Sequence, residues 1–416
     1  MLADSLPFEA GSFDWARIPA AAGVFALFGA DERAEPYISR TPNLRRRLRR
    51  FLDVRPDQSK RLQLAGRVAR IEYSITGSDF EALLCLYQAT SAAFGERARK
   101  RLHLRTPFFL RMTLQNAYPR VYVTNRVTKA AADELFGPFA SRTAAEKFAD
   151  EMLNLFELRR CHEELHPDPV FPGCVYSEMK KCLAPCFKGC TDERYAAEAK
   201  AVREFLATRG QSLVRALSAA REEASEALDF EKAAEIHGSL AMVQAVAASV
   251  PEVVRALTQL SGVIVQSAAE ADRVALFLLR KGALAGPVFY SVAGMRHPNE
   301  QSGSSSLFAH PVALEAIPLA DGPVMKPVSR DELGQRLDEA LGLLEQESET
   351  RRLSNQQLSD FLCLFCRWYH RPQTKRVGEI LLAEPDGITP HKPLIRAISR
   401  VWQRHEAGTV HTEVTR

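Results

Sequence analysis

The sequence predicts an α+β chain of several domains: a small mixed sheet with flanking helices, a cysteine-cluster segment, a helical hairpin and a C-terminal α/β domain. Three observations carry that expectation. At 416 residues the chain exceeds what one core holds, given roughly 100–200 residues per domain. Apolar residues at 46% and charged ones at 25% are those of an ordinary globular chain. Strand-like and helix-like patterns follow one another along the sequence. The composition excludes a disordered tail, a collagen-like chain and a coiled-coil rod. No window holds the 18 or so uninterrupted apolar residues of a membrane-spanning helix. The opening residues show neither a basic n-region nor an apolar h-region, so a cytoplasmic protein with no membrane partner is expected.

Taken in order, Ala22–Phe28 reads as a buried strand and Pro36–Ser39 as its hairpin partner. A helix is expected from Thr41-Pro42-Asn43 to about Leu52, with the proline in its first turn. At 100° per residue, Leu44, Leu48, Phe51 and Leu52 share one face of it. Arg46, Arg49 and Arg50 point away, and Arg45 and Arg47 lie at the two borders. Residues 67–76 alternate as a strand. Ser78 caps a helix to about Leu102, with Glu81 as its capping-box partner. A strand follows at Tyr118–Thr124 and helices at Thr143–Leu158 and Thr191–Arg209. A helical hairpin occupies 211–248, broken at Leu228-Asp229-Phe230-Glu231. Three alternating strands are expected over 261–294, then a Ser/Gly/Pro-rich loop over 297–310. Helices at Asp331–Glu345 and Asn355–Tyr369, a strand at Gly378–Ala383 and about a dozen frayed terminal residues complete the chain. The expected domains are 15–105, 106–200, 205–248 and 255–405.

A net charge of +4 is weak grounds for any partner. Its distribution says more: Arg40, Arg45, Arg46, Arg47, Arg49 and Arg50 crowd together, as phosphate contact requires. The alternative is a solvated charged helix. Cys161, Cys174, Cys182, Cys186 and Cys190 fall within one short segment, a pattern that points to metal rather than disulfides in a cytosolic chain. Cys363 and Cys366 sit in an apolar helical run and read as ordinary buried thiols.

The order of motifs resembles one family. Gly23-Val24-Phe25, Tyr37-Ile38-Ser39 and Asn43-Leu44-Arg45-Arg46-Arg47-Leu48 resemble a GIY-YIG nuclease domain. Phe136-Gly137-Pro138-Phe139, Leu158-Arg159-Arg160-Cys161 and Cys182-Leu183-Ala184-Pro185-Cys186 resemble the segment that follows it in UvrC, and Leu228–Glu235 resembles the UVR motif. The resemblance implies nucleotide excision repair, with incision 3′ to a lesion by the N-terminal domain. The family's RNase H-like half is not in this sequence, so the layout is closer to the short homologue Cho.

Carried over position by position, the resemblance puts the YIG tyrosine at Tyr37, the helix arginine at Arg47 and a basic residue at Arg40. The GIY tyrosine is replaced by Phe25, and Phe51 stands where another tyrosine is expected. The metal-holding glutamate is replaced by Leu86, in Glu81-Ala-Leu-Leu-Cys-Leu86. Leucine cannot ligate a hard cation, and phenylalanine has no ionisable group for base catalysis. Glu81, about 140° around the helix from Leu86, is poorly placed for rescue; Gln88 and Glu72 are the other candidates. A degenerate nuclease fold that still contacts duplex DNA through Arg40, Arg45, Arg46, Arg49 and Arg50 is therefore expected. The alternatives are an active 3′ endonuclease and a cluster-bearing regulatory protein that does not bind DNA.

The resemblance also implies a [4Fe–4S] cluster on Cys161, Cys174, Cys182 and Cys186. The four thiols suit zinc as well, and reduced thiols without metal remain open. The UVR hairpin implies a UvrB-like partner, with Phe230 as its anchor or, alternatively, as the closure of the hairpin's own core.

Overall fold

The computed structural model describes residues 2–31, 33–53, 65–295, 328–384 and 390–413, with side chains to 405. The loop expected at 297–310 lies outside them.

The N-terminal unit comprises β1 (Asp4–Pro7), β2 (Gly23–Gly29), β3 (Tyr37–Thr41), α1 (Leu44–Leu52), β4 (Val68–Ile75), α2 (Asp79–Phe94) and the short α3 (Ala98–Arg101). Its sheet runs β1-β4-β2-β3, with every pairing antiparallel. Alternation divides the strands between two faces. Phe25, Leu27, Ile71 and Tyr73 pack with Leu44, Leu48 and Leu52 of α1. Arg40, opposite Val24, lies on the other face, where its guanidinium meets Asp79 of α2 at 3.4 Å. The α1 cap is two residues later than the Thr41 that a proline at the first helical position implies. Asn43 accepts from the Arg46 N–H, so Pro42 precedes the cap instead of filling the first turn. In α2, Ser78 Oγ accepts from the Glu81 N–H, but the Glu81 carboxylate takes the Gly77 N–H at 2.8 Å. The helix ends at Gly95, where φ is +55°.

The middle unit adds β5 (Phe108–Met112), β6 (Val121–Thr124), β7 (Leu135–Phe139), α4 (Arg142–Leu153), α5 (Val175–Glu178) and α6 (Asp192–Ala207). The strands β5 and β7 went unread in the sequence because both faces of β7 are buried and no alternation shows. Gly137 of β7 admits no side chain: a Cβ there would lie 2.6 Å from the Phe109 ring. The hairpin follows as α7 (Gln211–Glu226) and α8 (Phe230–Ala248), and then β8 (Arg255–Ala256) returns to pair with β7.

The C-terminal unit is β9 (Ser261–Ser267), β10 (Arg273–Arg280), β11 (Ala283–Ser291), α9 (Arg330–Thr350), α10 (Asn355–Tyr369), β12 (Glu379–Leu382) and α11 (His391–Glu413). Its sheet order is β11-β10-β9-β12. The terminal fraying expected from the sequence is not seen up to Glu413, where α11 ends.

The largest core joins the units. It runs from Phe80 and Tyr87 of α2 through Phe109 and Phe136 to Phe277, Phe365 and Trp368. The Phe80 ring lies 5.0 Å from Phe277 and 5.2 Å from Trp368. Gly77 abuts the backbone of Ala268 so closely that a Cβ would fall 2.0 Å from its carbonyl carbon. Ser267 Oγ donates to the Gly77 carbonyl at 2.8 Å. The α2 helix is thus wedged between its own sheet and the C-terminal unit.

Candidate nucleic-acid interface and cysteine cluster

The strand pairing brings Tyr37 opposite Leu27, two residues from Phe25 on the same face. The first helix sets Phe51 against both. The ring centroids are 6.1 Å apart for Phe25 and Tyr37, 6.4 Å for Phe25 and Phe51, and 5.9 Å for Tyr37 and Phe51. Phe25 is fully buried, whereas Tyr37 keeps 46% of its surface exposed. The Arg47 guanidinium lies over the Phe51 ring, 4.1 Å from its centroid. Tyr37 and Arg47 therefore meet in one patch with Phe25 and Phe51. Such a patch presents cation and π-face together.

Arg46, Arg49 and Arg50 are exposed, and Arg45 and Arg47 are half-buried, as the helical wheel requires. Arg45 has another occupation. Its guanidinium donates to the carbonyls of Ile18 (2.6 Å) and Ala16 (3.4 Å), tying the preceding loop to α1. Arg40 is bridged through Asp79 to Arg371 of the C-terminal unit. Arg49 pairs with Asp53 at 3.6 Å.

Leu86 is half-buried on α2. Neither nominated carboxylate stands free for a cation. Glu81 is buried, and that burial pushes it up to about 7 against the donors at Gly77 and Ser78. Glu72 is buried on the α2 face, opposite Ala26, with Arg70 at 3.4 Å.

In the middle unit, four cysteines gather around the turn at Ala184-Pro185, where Ala184 and Lys188 adopt left-handed φ. Burial pushes the Cys182 thiol up to about 11, and the neighbouring Cys161, Cys174 and Cys186 push it the same way. Ala184 N–H donates to Cys182 Sγ at 3.3 Å. Arg159 is 3% exposed. It donates to the carbonyls of Tyr118 and Glu163, both at 3.0 Å, and to Cys161 Sγ at 3.6 Å. A buried guanidinium held by carbonyls and a sulfur, with no carboxylate partner among the described residues, lacks a counter-charge. A metal bound by four thiolates carries negative charge, so the donor set fits such a group chemically. The side chains do not close on one point as they stand: among the described residues no group of three His, Cys, Asp or Glu is placed to hold a metal ion. Sequence reasoning passed over Arg159, although its place two residues before Cys161 was a visible signal.

The hairpin turn has Leu228 at φ +60°, and Asp229 Oδ1 accepts from the Lys232 N–H at 3.1 Å. Phe230 is 66% exposed and Leu228 is exposed beside it. The core-closing reading of Phe230 is therefore incorrect; α8 is buried at Leu240 and Val243, not at Phe230.

Cys363 is buried, with its thiol pushed up by that burial, as an ordinary core thiol would be. No helix among the described residues is long and apolar enough to cross a membrane.

Residues 108–205 match the family described as the middle domain of the UvrC/Cho excinuclease. Residues 211–245 match the UvrB/UvrC motif. The chain is similar to proteins named UvrABC system protein C. That of Pseudomonas entomophila is 30% identical over 251 residues, covering 58% of this chain and 39% of the relative. That of Rickettsia bellii is 32% identical over 220 residues, covering 53% and 34%. That of Alcanivorax borkumensis is 30% identical over 225 residues, covering 54% and 36%. The matched stretch thus spans well under half the length of these relatives. No solved structure matches the chain.

Proposed function

We propose that this chain, which is similar to the UvrC/Cho excinuclease proteins in its middle domain and UVR motif, is a DNA-binding protein of nucleotide excision repair whose GIY-YIG-like N-terminal unit has lost efficient incision. The observation that carries the reading is the aromatic patch. Where the family needs an ionisable oxygen beside Tyr37, Phe25 supplies buried hydrocarbon, and Phe51 is capped by Arg47. Phosphodiester hydrolysis needs an activated water and neutralisation of developing charge. Arg47 can serve the second need; Phe25 and Leu86 cannot serve the first. Phosphate contact needs neither. Incubation of supercoiled plasmid with magnesium or manganese is expected to give no nicking above background. Robust nicking that Arg47→Ala abolishes would favour an active endonuclease and end this reading.

Cys161, Cys174, Cys182 and Cys186 are the set that would hold a [4Fe–4S] cluster or zinc, with Arg159 as the buried counter-charge. The group would cross-link a loop-rich segment. Anaerobically purified protein is expected to carry iron with visible absorbance, which Cys182→Ala removes. A colourless protein with one zinc would replace the cluster by zinc, and one with no metal would remove both.

The UVR hairpin offers Phe230 and Leu228 at its tip to a UvrB-like helical partner. An exposed aromatic rimmed by Asp229 and Glu231 suits an interface anchor. Phe230→Ala is expected to weaken UvrB capture by about 2 kcal/mol or more with helicity unchanged. Unchanged capture would discard the anchor.

A further inference from the structure

The exposed half of Tyr37 has no use in a patch that merely fills the space of a lost active site. Phe25 already seals the floor, and Phe51 is covered by Arg47. Tyr37 nevertheless leaves 46% of its surface in water. Arg46 and Arg50 stand exposed on the adjoining helix, without an ion pair among the described residues, next to Arg49 with its weak partner Asp53. An open aromatic ring, a guanidinium 4.1 Å over the centroid of a second ring, and exposed cations beside them make a combination with a definite chemical complement. The complement is a flat π-system attached to a chain of phosphates.

Resting on the DNA-binding reading above, we propose that Tyr37 and the Arg47–Phe51 stack form a platform for unpaired nucleobases, so that this surface takes single-stranded DNA in preference to duplex. In a duplex each base already has both faces stacked, and an aromatic side chain outside it meets only base edges and backbone. In a single strand the base faces are free, and stacking on aromatic rings is tolerant of sequence because every base has a π-face. Arg46, Arg49 and Arg50 then follow the phosphates, which adds salt-dependent affinity without discrimination. The split of roles separates two observables. The ring sets the preference for unpaired DNA, and the arginines set the overall strength.

The test is fluorescence anisotropy on the full chain, with labelled oligothymidylate and a labelled duplex of equal length at matched salt. Wild-type protein is expected to bind oligothymidylate more tightly. Tyr37→Ala is expected to weaken that binding by about tenfold, the effect of one lost stacking contact, with a smaller effect on duplex. Tyr37→Phe, which keeps the ring and drops the hydroxyl, retains the preference. The combined Arg46→Ala, Arg49→Ala and Arg50→Ala variant weakens both ligands and flattens the salt dependence. Circular dichroism checks that each variant is folded. If Tyr37→Ala leaves oligothymidylate binding unchanged while the arginine variant weakens both ligands, the surface binds phosphate alone and the platform is overturned. If neither ligand binds wild-type protein, the DNA-binding reading fails and the platform fails with it.

Discussion

Replacing Asp360 with alanine is expected to cost about 3–5 kcal/mol of folding stability, the usual cost of breaking a buried charge pair from one side. Asp360 sits on α10 at 4% exposure. Its carboxylate accepts from Arg99 Nη1 at 2.9 Å, Tyr87 Oη at 3.2 Å and Gln356 Nε2 at 3.0 Å. Burial raises its affinity for a proton, and these three donors oppose that rise. Arg99 and Tyr87 belong to the N-terminal half, so this carboxylate ties α2 and its following turn to α10 across more than 260 positions of sequence. Alanine would strand a guanidinium and a phenol in a largely apolar interface. Asparagine keeps acceptor geometry and loses the charge, and should cost less. Urea unfolding of both variants checks this. A loss below about 1 kcal/mol for alanine, the scale of an exposed pair, would show that water reaches the site and that the tie is weak.

Glu81→Gln is expected to act in the opposite direction and only at higher pH. Burial raises Glu81 from 4.5 to about 7. At acid pH both folded and unfolded chains hold the proton, and the group contributes nothing. As pH rises past 4.5 the unfolded chain releases its proton first, so the folded state binds more protons and loses stability. The penalty is complete above about 7 and is on the order of 3 kcal/mol. Glutamine keeps an acceptor for the Gly77 N–H and cannot ionise. The variant should therefore match wild type near pH 4 and exceed it near pH 8. Thermal melts at the two values read the difference, and a gap that does not change with pH would show that Glu81 is solvated.

These two sites show where sequence reading stopped. Asp360 immediately precedes the apolar run Phe361-Leu362-Cys363-Leu364-Phe365, and an acid one residue from such a run was a visible sign of a buried partner. Its partners were not legible, because they come from residues far along the chain. Glu81 was legible as a cap residue but not as a buried one. The helix that carries it is covered on both sides, and amphipathic reasoning expects one wet face.

Local signals were enough to determine much of the rest. Ser78 caps α2 through its own side chain, as the sequence indicated. The three strands expected over 261–294 are present as β9, β10 and β11, although β9 and β10 are buried on both faces and do not alternate. The spacing within α1 separated the outward arginines from the two border ones. That Phe25 and Leu86 bring hydrocarbon and no ionisable group is a property of the sequence alone. Only the tertiary structure decided which arginine is already engaged (Arg45, by the carbonyls of Ile18 and Ala16), that Tyr37 stays open to water while Phe25 does not, and that Phe230 projects from its hairpin. It also decided that α2 is wedged between two units. Capping and periodicity act within a few residues, so sequence order encodes them directly. Burial and pairing depend on surfaces brought together from distant segments, and no local pattern records which surfaces will meet.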